Sequence, residues 1–317
     1  CTTGKCVGTS DSCDDKNACT KDACDPANGC VHSTGNDGGA CDDGNPCTKT
    51  DKCAAGLCKG SGKCTCKPKF SSLASKLNVV QLGKGGQPGE GLDIDGDKKT
   101  CAPKANCKDG IDNATGGLAT LVNPQLTSAI EKGSVMLVVE FDSLKQGSVN
   151  LSVHQADLHA GNLKCDHMKA HCQYTASMSL LNAVTCKSKV KLTGTLTGNV
   201  LEVGGKGTVF PLTLPIQPGV NLAIKIYNAQ IKATTKMSGG KVIGFTGLLV
   251  GAIPKKSLAD AIKALPEEDL PLPKETLLNV LNTAVEQDQD VDGDGKKDAS
   301  SIGLKIEGIG ATLIDAK

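Results

Sequence analysis

Twelve of the 17 cysteines fall within the first 66 residues, and they recur in a repeated phrase. Cys13-Asp-Asp-Lys-Asn-Ala-Cys19-Thr is echoed by Cys41-Asp-Asp-Gly-Asn-Pro-Cys47-Thr. Cys24 and Cys30 follow the first copy; Cys53, Cys58 and Cys64 follow the second. Between Cys1 and Lys69 the larger aliphatic residues are Val7, Val31 and Leu57, and no aromatic occurs. Such a segment buries too little apolar surface to offset its chain entropy. It needs covalent staples, and disulfides persist only in an oxidising compartment. Residues 1–68 are therefore predicted to be a disulfide-stapled stalk with little regular structure, on an extracellular or cell-surface protein.

A metal account of these cysteines is weaker. Zinc modules use Cys-x-x-Cys knuckles so that two thiolates reach one ion. No such knuckle occurs, and Asp and Asn flank the thiols. The disulfide pairing is not readable, since four cysteines already allow three connectivities. An odd total leaves at least one cysteine outside the intrachain disulfides. Cys101 with Cys107 makes a natural pair, which places the odd one among Cys165, Cys172 and Cys186. Cys1, the first residue, suits either a lipid anchor or a disulfide to a neighbour such as Cys6 or Cys13; the arithmetic favours the disulfide. The chain opens without a secretory leader, as a mature secreted chain would.

The 317 residues carry a net charge of +1, and every basic side chain is lysine. Arginine supplies the bidentate fork for phosphates and bases. With no arginine, no Trp, two Tyr and four Phe, nucleic-acid binding is not expected. Few aromatics also weaken a carbohydrate platform. No apolar run is long enough to span a bilayer.

Residues 69–91 read as a Gly-rich joint, with a short apolar stretch around Leu73, Leu77 and Val80 before Gly83-Lys-Gly-Gly-Gln-Pro-Gly-Glu-Gly91. Asn123-Pro124 predicts a short helix, with Asn as N-cap, Pro at the first helical position and Gly133 as the stop. From 134 to 250 the pattern becomes strand-like, with runs at 135–141, 189–196 and 222–227 separated by Gly, Asn and Pro. Two amphipathic helices are predicted near 257–265 and 274–285, and 302–314 reads as a closing strand. The fold class is mainly β. Residues 92–317 are expected to form one antiparallel β-sandwich or barrel with a few short helices and an aliphatic core. The Asn-x-Ser/Thr sites at Asn113 and Asn150 carry little weight.

Asp290-Val-Asp292-Gly-Asp294-Gly295-Lys-Lys-Asp298 has the start of a calcium loop. Calcium takes oxygen ligands, and carboxylates at positions 1, 3 and 5 turn inward on a tight bend that Gly permits at position 6. Lys296 would offer its carbonyl and Asp298 part of the shell. Ser301 stands where an EF-hand has its bidentate Glu. The loop in that respect resembles thrombospondin-type and dockerin-like loops. A second stretch, Asp93-Ile-Asp95-Gly-Asp97, matches over five positions but has Lys98 at the sixth. A Cys101–Cys107 bridge would bring Asp109 or Asp112 to the same ion. Ca²⁺ is the expected cofactor of both.

Four of the five histidines lie between 154 and 171: His154, His159, His167 and His171. With Cys165 and Cys172 they are candidate ligands for zinc, copper or nickel. His167 and His171 would share a face on a helix, but the spacing of His154 and His159 suits neither helix nor strand. A polar loop, pinned by Cys165 with Cys172 or Cys186, is the simpler account. No Gly-x-Ser-x-Gly, His-Glu-x-x-His, phosphate loop or haem signature occurs, and no enzyme is expected.

The Cys-Asp-Asp-Gly-Asn-Pro-Cys-Thr phrase with Cys53, Cys58 and Cys64 resembles the slime-mould-type Cys-rich repeat of extracellular matrix and large surface proteins. The remainder resembles secreted or lipid-anchored proteins of myxobacteria-like bacteria. That likeness rests on the acidic stretch at 93–97, on Asp109-Gly-Ile-Asp-Asn113, and on Asp290 to Leu304. It implies a cell-surface protein. Three functions follow as expectations. The first is a structural subunit that assembles with copies of itself, its strands at 210–250 adding edge to edge. The second is a monomeric adhesion or ligand-binding surface lipoprotein. The third is a transition-metal protein using the His154–Cys172 cluster.

Overall fold

The computed structural model describes residues 13–25, 29–43, 48, 50–60, 67–104, 108–182, 184–217, 220–239, 241–265, 267, 270 and 272–317. The chain divides into two units, 1–68 with 182–186, and 69–181 with 187–317.

In the first unit, β1 (Thr20–Asp25) and β2 (Gly29–Thr34) form an antiparallel hairpin. A second small sheet joins β3 (Ala40–Cys41), β4 (Asp51–Ala54) and β5 (Leu57–Lys59). The repeated phrase has a repeated structure. Cys13 bonds Cys30 and Cys41 bonds Cys58, each across a separation of 17, and Cys19–Cys53 ties one repeat to the other. Asp and Thr of the phrase also act alike. The Thr20 hydroxyl donates to Asp15 Oδ1 at 2.9 Å, and Asp15 N donates to Asp22 at 3.0 Å. In the second repeat Thr48 donates to Asp43 Oδ1 and Asp43 N to Asp51, both at 3.0 Å. The buried apolar side chains described here are sulfur: Cys13, Cys19 and Cys53.

The second unit is a closed β structure. Its elements in chain order are β6 (Ala74–Leu82), α1 (Ala119–Glu131), β7 (Leu137–Phe141), β8 (Gly147–Leu158), β9 (Cys172–Ala176), β10 (Lys191–Thr197), β11 (Val200–Gly204), β12 (Val209–Gln217), β13 (Val220–Ser238), β14 (Lys241–Pro254), α2 (Lys255–Ala264), α3 (Lys274–Ala284) and β15 (Ala299–Ala316). The strands β6–β7–β8–β10–β11–β13–β14–β15 pair in that order, and β15 returns to β6, so the antiparallel ring closes. Strand β9 closes a second, smaller ring by pairing antiparallel with β8 and parallel with β15. The barrel alternative of the predicted fold class is the one realised.

Period-two alternation sets the two faces of the main ring. Leu192, Leu196, Leu201, Val203, Ile231 and Ala233 point into the core, while Lys191, Thr193, Thr195, Lys232, Thr234 and Lys236 are exposed. This is the reverse of a transmembrane barrel, whose outer band is apolar. Among the described residues no helix is long and apolar enough to cross a membrane. The long strands also tolerate glycine where something must come close. Phe245 packs its ring against Gly308 directly across β14 and β15, where a Cβ would lie 2.3 Å from it.

Several elements differ from expectation. Ala74–Leu82, assigned above to the joint, is a central strand of the ring between β15 and β7. Its Leu77, Val80 and Leu82 fill the core, and the irregular parts of 69–91 are residues 69–73 and the Gly-rich run after the strand. Helix α1 starts at Ala119, ahead of Asn123, and Pro124 lies inside it. Asn123 does not cap. Its amide pairs with the backbone of Leu82, accepting from N at 2.7 Å and donating to O at 2.9 Å, as a neighbouring strand would. The stop at Gly133 holds, with φ +70°. The strands at 210–250 are paired within the ring, which removes most of the expected free edges. One exception is β12, which among the described residues has β13 alone as a strand partner. Pro211 and Pro215, two residues either side of Thr213, carry no N–H and remove two donors from this strand. Such an edge resists strand addition.

Candidate metal centre

The two acidic stretches fold into the same turn. In 93–99, Asp93 Oδ1 accepts from Gly96 N at 2.7 Å, Asp95 Oδ1 from Asp97 N at 2.9 Å, and Asp97 Oδ1 from Lys99 N at 3.0 Å. In 290–296, Asp290 Oδ1 accepts from Gly293 N at 2.7 Å, Asp292 Oδ1 from Asp294 N at 3.2 Å, and Asp294 Oδ1 from Lys296 N at 2.8 Å. Gly96 and Gly293 take φ near +80° at the same position, where a side chain would be strained. The loops diverge at the sixth position, as the sequences do: Gly295 N donates to Asp290 Oδ2 at 2.9 Å.

Two groups of three carboxylates result. Asp290, Asp292 and Asp294 bring oxygens within 4.8 Å of one another on an exposed turn. Asp93, Asp95 and Asp112 do the same, with Asp112 buried. Asp298 does not join the first group. Its backbone pairs with Gln289, and its carbonyl accepts from Lys255 N. Lys296 sends its amine to Asp294 at 3.3 Å. Asp97 and Asp109 stand outside the second group, Asp109 at φ +56°. Cys101 is disulfide-bonded, while Cys107 lies outside the described residues. Hard oxygens on tight turns fit a calcium ion better than a soft metal.

Asp112 is the residue that makes the second group more than a surface turn. Burial pushes its carboxyl up to about 7, and the neighbouring Asp288 and Asp95 add to the rise, against backbone donors at Ile94 and Asp95. A bound cation would offset this desolvation and repulsion. Asp112 also accepts from the Gln289 amide at 3.3 Å, and Lys297 reaches Asp95 at 3.5 Å, so the two loops are tied to each other.

A polar hub that composition and spacing did not reveal ties the segment after Asp112 to residues 83–90 and 301–303. Asn113 is fully buried, and its amide makes four hydrogen bonds: it donates to Gly83 O and Glu90 O at 2.9 Å and accepts from Gly303 N and Thr115 Oγ1. The sequon at Asn113 is therefore closed to glycosylation in the folded unit. Asp288 accepts from Ser301 N, and Ser301 Oγ accepts from Ala114 N, both at 2.7 Å. The Asp-Gly-Ile-Asp-Asn run at 109–113 thus serves packing at Asn113 and carboxylate supply at Asp112.

The histidines disperse. His154 lies on β8 and bonds Glu140 at 2.8 Å; His159 bonds Thr175 at 3.1 Å; His167 faces Lys76 at 3.4 Å; His171 is exposed at φ +75°. The segment carrying His167 and His171 is a loop pinned by Cys165–Cys172, not a helix, so their spacing does not align them. No group of three metal-type ligands among the described residues includes any of the four. Cys165, Cys172 and Cys186 are all disulfide-bonded, so the odd cysteine is none of them. Cys13 pairs with Cys30, which removes it as a partner for Cys1; Cys1 and Cys6 lie outside the described residues.

Residues 12–34 match the family described as the Dictyostelium (slime mold) repeat. The match falls on the first copy of the phrase and covers a small part of the chain. No curated protein and no solved structure matches. The repeat and the disulfides are consistent with an extracellular protein.

Proposed function

We propose that this is a non-enzymatic extracellular structural protein whose β unit is stabilised by calcium at two acidic loops. The observation that carries this reading is the pair of loops with matching turn hydrogen bonds, one presenting three carboxylates within 4.8 Å and the other presenting two that Asp112 completes to three. One of those carboxylates is buried and another loop residue, Gln289, already bonds it. Disulfides on the N-terminal repeats suit the same compartment, where calcium is abundant and reductant is scarce.

The test is thermal unfolding of the disulfide-intact protein in chelator and in excess calcium. Calcium at about a hundred times its dissociation constant should add about 2.7 kcal/mol per site. Asp292→Ala and Asp95→Ala should each remove one part of the gain. An identical melting temperature with chelator and with calcium would sink the reading.

Self-assembly belongs to this proposal in a narrower form than edge-to-edge addition. Ring closure and the two prolines on β12 disfavour pairing through the sheet, so a head-to-tail contact using the Cys-rich unit is the form retained. The same two features favour a second reading, a monomeric adhesion or ligand-binding module. Sedimentation of the calcium-loaded chain separates them: polymers lost on deletion of residues 1–68 support assembly, and a monomer at high concentration supports the module.

A further inference from the structure

Lys76 is the least explained group in the β unit. It sits on β6 and is fully buried. Its Nζ meets His167 Nδ1 at 3.4 Å and Met168 Sδ at 3.7 Å, and among the described residues it makes no ion pair. Both partners lie on the segment between Cys165 and Cys172, whose disulfide makes it a short strap. Besides Lys76, the strap is held by Met168, which packs against the core, and by a few hydrogen bonds. His171 N donates to Gly310 O at 2.8 Å, and the Tyr174 hydroxyl reaches His167 O at 3.5 Å. Across from Lys76 on β7 stands Val138, and the charge that acts on the lysine is Asp166; the other titratable groups of the small ring have partners of their own. Glu140 on β7 and His154 on β8 are bonded to each other, and Tyr174 stands on β9. Asp166 is on the strap, and the Glu131 backbone at the end of α1 takes a hydrogen bond from the His167 ring.

We propose that the Cys165–Cys172 strap is an acid-sensitive latch, closed while His167 accepts a hydrogen bond from Lys76 and opened when His167 takes up a proton. Nδ1 can accept from the lysine only while it carries no proton, because both ring nitrogens of an imidazolium are donors. Protonation would set two cations 3.4 Å apart in a half-buried site, with the lysine unable to withdraw. The disulfide keeps both ends of the strap in place, so opening is local and reversible.

The charge environment agrees in sign. Burial, and then Lys76, hold His167 below its ordinary 6.5, with Asp166 opposing. A depressed imidazole contributes to the closed strap above that value, and the contribution is lost as pH falls through the folded value. Burial likewise lowers Lys76 to about 8. The closed form therefore strengthens further as pH rises from there towards 10.5, the lysine's ordinary value. Acid opens the latch and base tightens it.

Hydrogen exchange of the strap amides in the full-length, disulfide-intact chain tests this, at about pH 7.5 and about pH 5, corrected for intrinsic exchange. Protection over 166–171 should fall about tenfold at the lower pH. In His167→Gln the amide accepts from Lys76 at either pH, and protection should stay constant. Equal protection at both pH values in the native chain, or the same loss in His167→Gln, would overturn the latch. If that variant folds poorly, Lys76→Met carries the test, since an apolar side chain of similar length leaves no second cation. Its strap should hold at about pH 5, and an undiminished acid response there would also refute the proposal.

Discussion

The two units solve the same problem with different materials. In the N-terminal repeats the described buried apolar side chains are Cys13, Cys19 and Cys53, and the cross-links replace a core. In the β unit Leu151, Leu192, Leu201, Ile226 and Ile306 are all but inaccessible, and three phenylalanines, Phe141, Phe210 and Phe245, join them. One unit gains by restricting its unfolded chain, the other by removing apolar surface from water. Their sequences differ accordingly: a phrase repeated by position in the first, alternation by period two in the second. The lesson is that a short polar segment folds by covalent register, whereas the ring needs each strand to present one apolar face.

Reduction is the sharpest way to separate them. Each loop closed by Cys13–Cys30 or Cys41–Cys58 should be worth about 3 kcal/mol. Limited proteolysis after full reduction should cut residues 13–60 while fragments of the β unit persist. A protected N-terminal unit without its disulfides would break the comparison.

Next in size is a cavity in the ring. Leu201→Ala, at a fully buried position on β11, should destabilise the β unit by about 2–5 kcal/mol. Denaturant unfolding monitored in the two units separately should show no matching change in the repeats. A shift of equal size in both would mean that they unfold as one.

The smallest effect lies on the surface of the first unit. His32 bonds Asp22 at 2.8 Å and faces Asp15 at 3.5 Å. The Asp22 hydrogen bond raises the His32 pKa above 6.5, and the same bond lowers that of Asp22. The raised imidazole favours folding below 6.5, and the contribution disappears as pH rises through the folded value. Because both groups are exposed, solvent screens the pair. His32→Ala should change the melting temperature slightly at about pH 5.5 and not at about pH 8. A large effect at either pH would show that the pair does more than decorate the hairpin.

Much of this was legible in the chain. The repeated Cys13 and Cys41 phrases announced disulfides, because that need follows directly from the scarcity of apolar residues; the equivalent pairs Cys13–Cys30 and Cys41–Cys58 came from the structure. The alternating runs announced strands, because facing in and out is a property of neighbouring residues. The Asp-x-Asp-Gly-Asp spelling announced both turns, since their hydrogen bonds join residues two or three apart. What depends on distant residues was not legible. Spacing offered Asp109 and Asp112 alike to the first acidic stretch; that Asp112 joins Asp93 and Asp95 while Asp109 and Asp298 stand aside follows from how the chain crosses there. Asn123 looks like a helix cap and instead completes β6, since Leu82 needed a partner for its backbone. Four clustered histidines separate once β8 claims His154 and the strap claims His167. Local spacing determined the turns, most of the strands and the need for staples in this protein. Ring closure and the choice of buried polar partners were left to the tertiary structure, because each polar group had to find its partner wherever the fold brought one within reach.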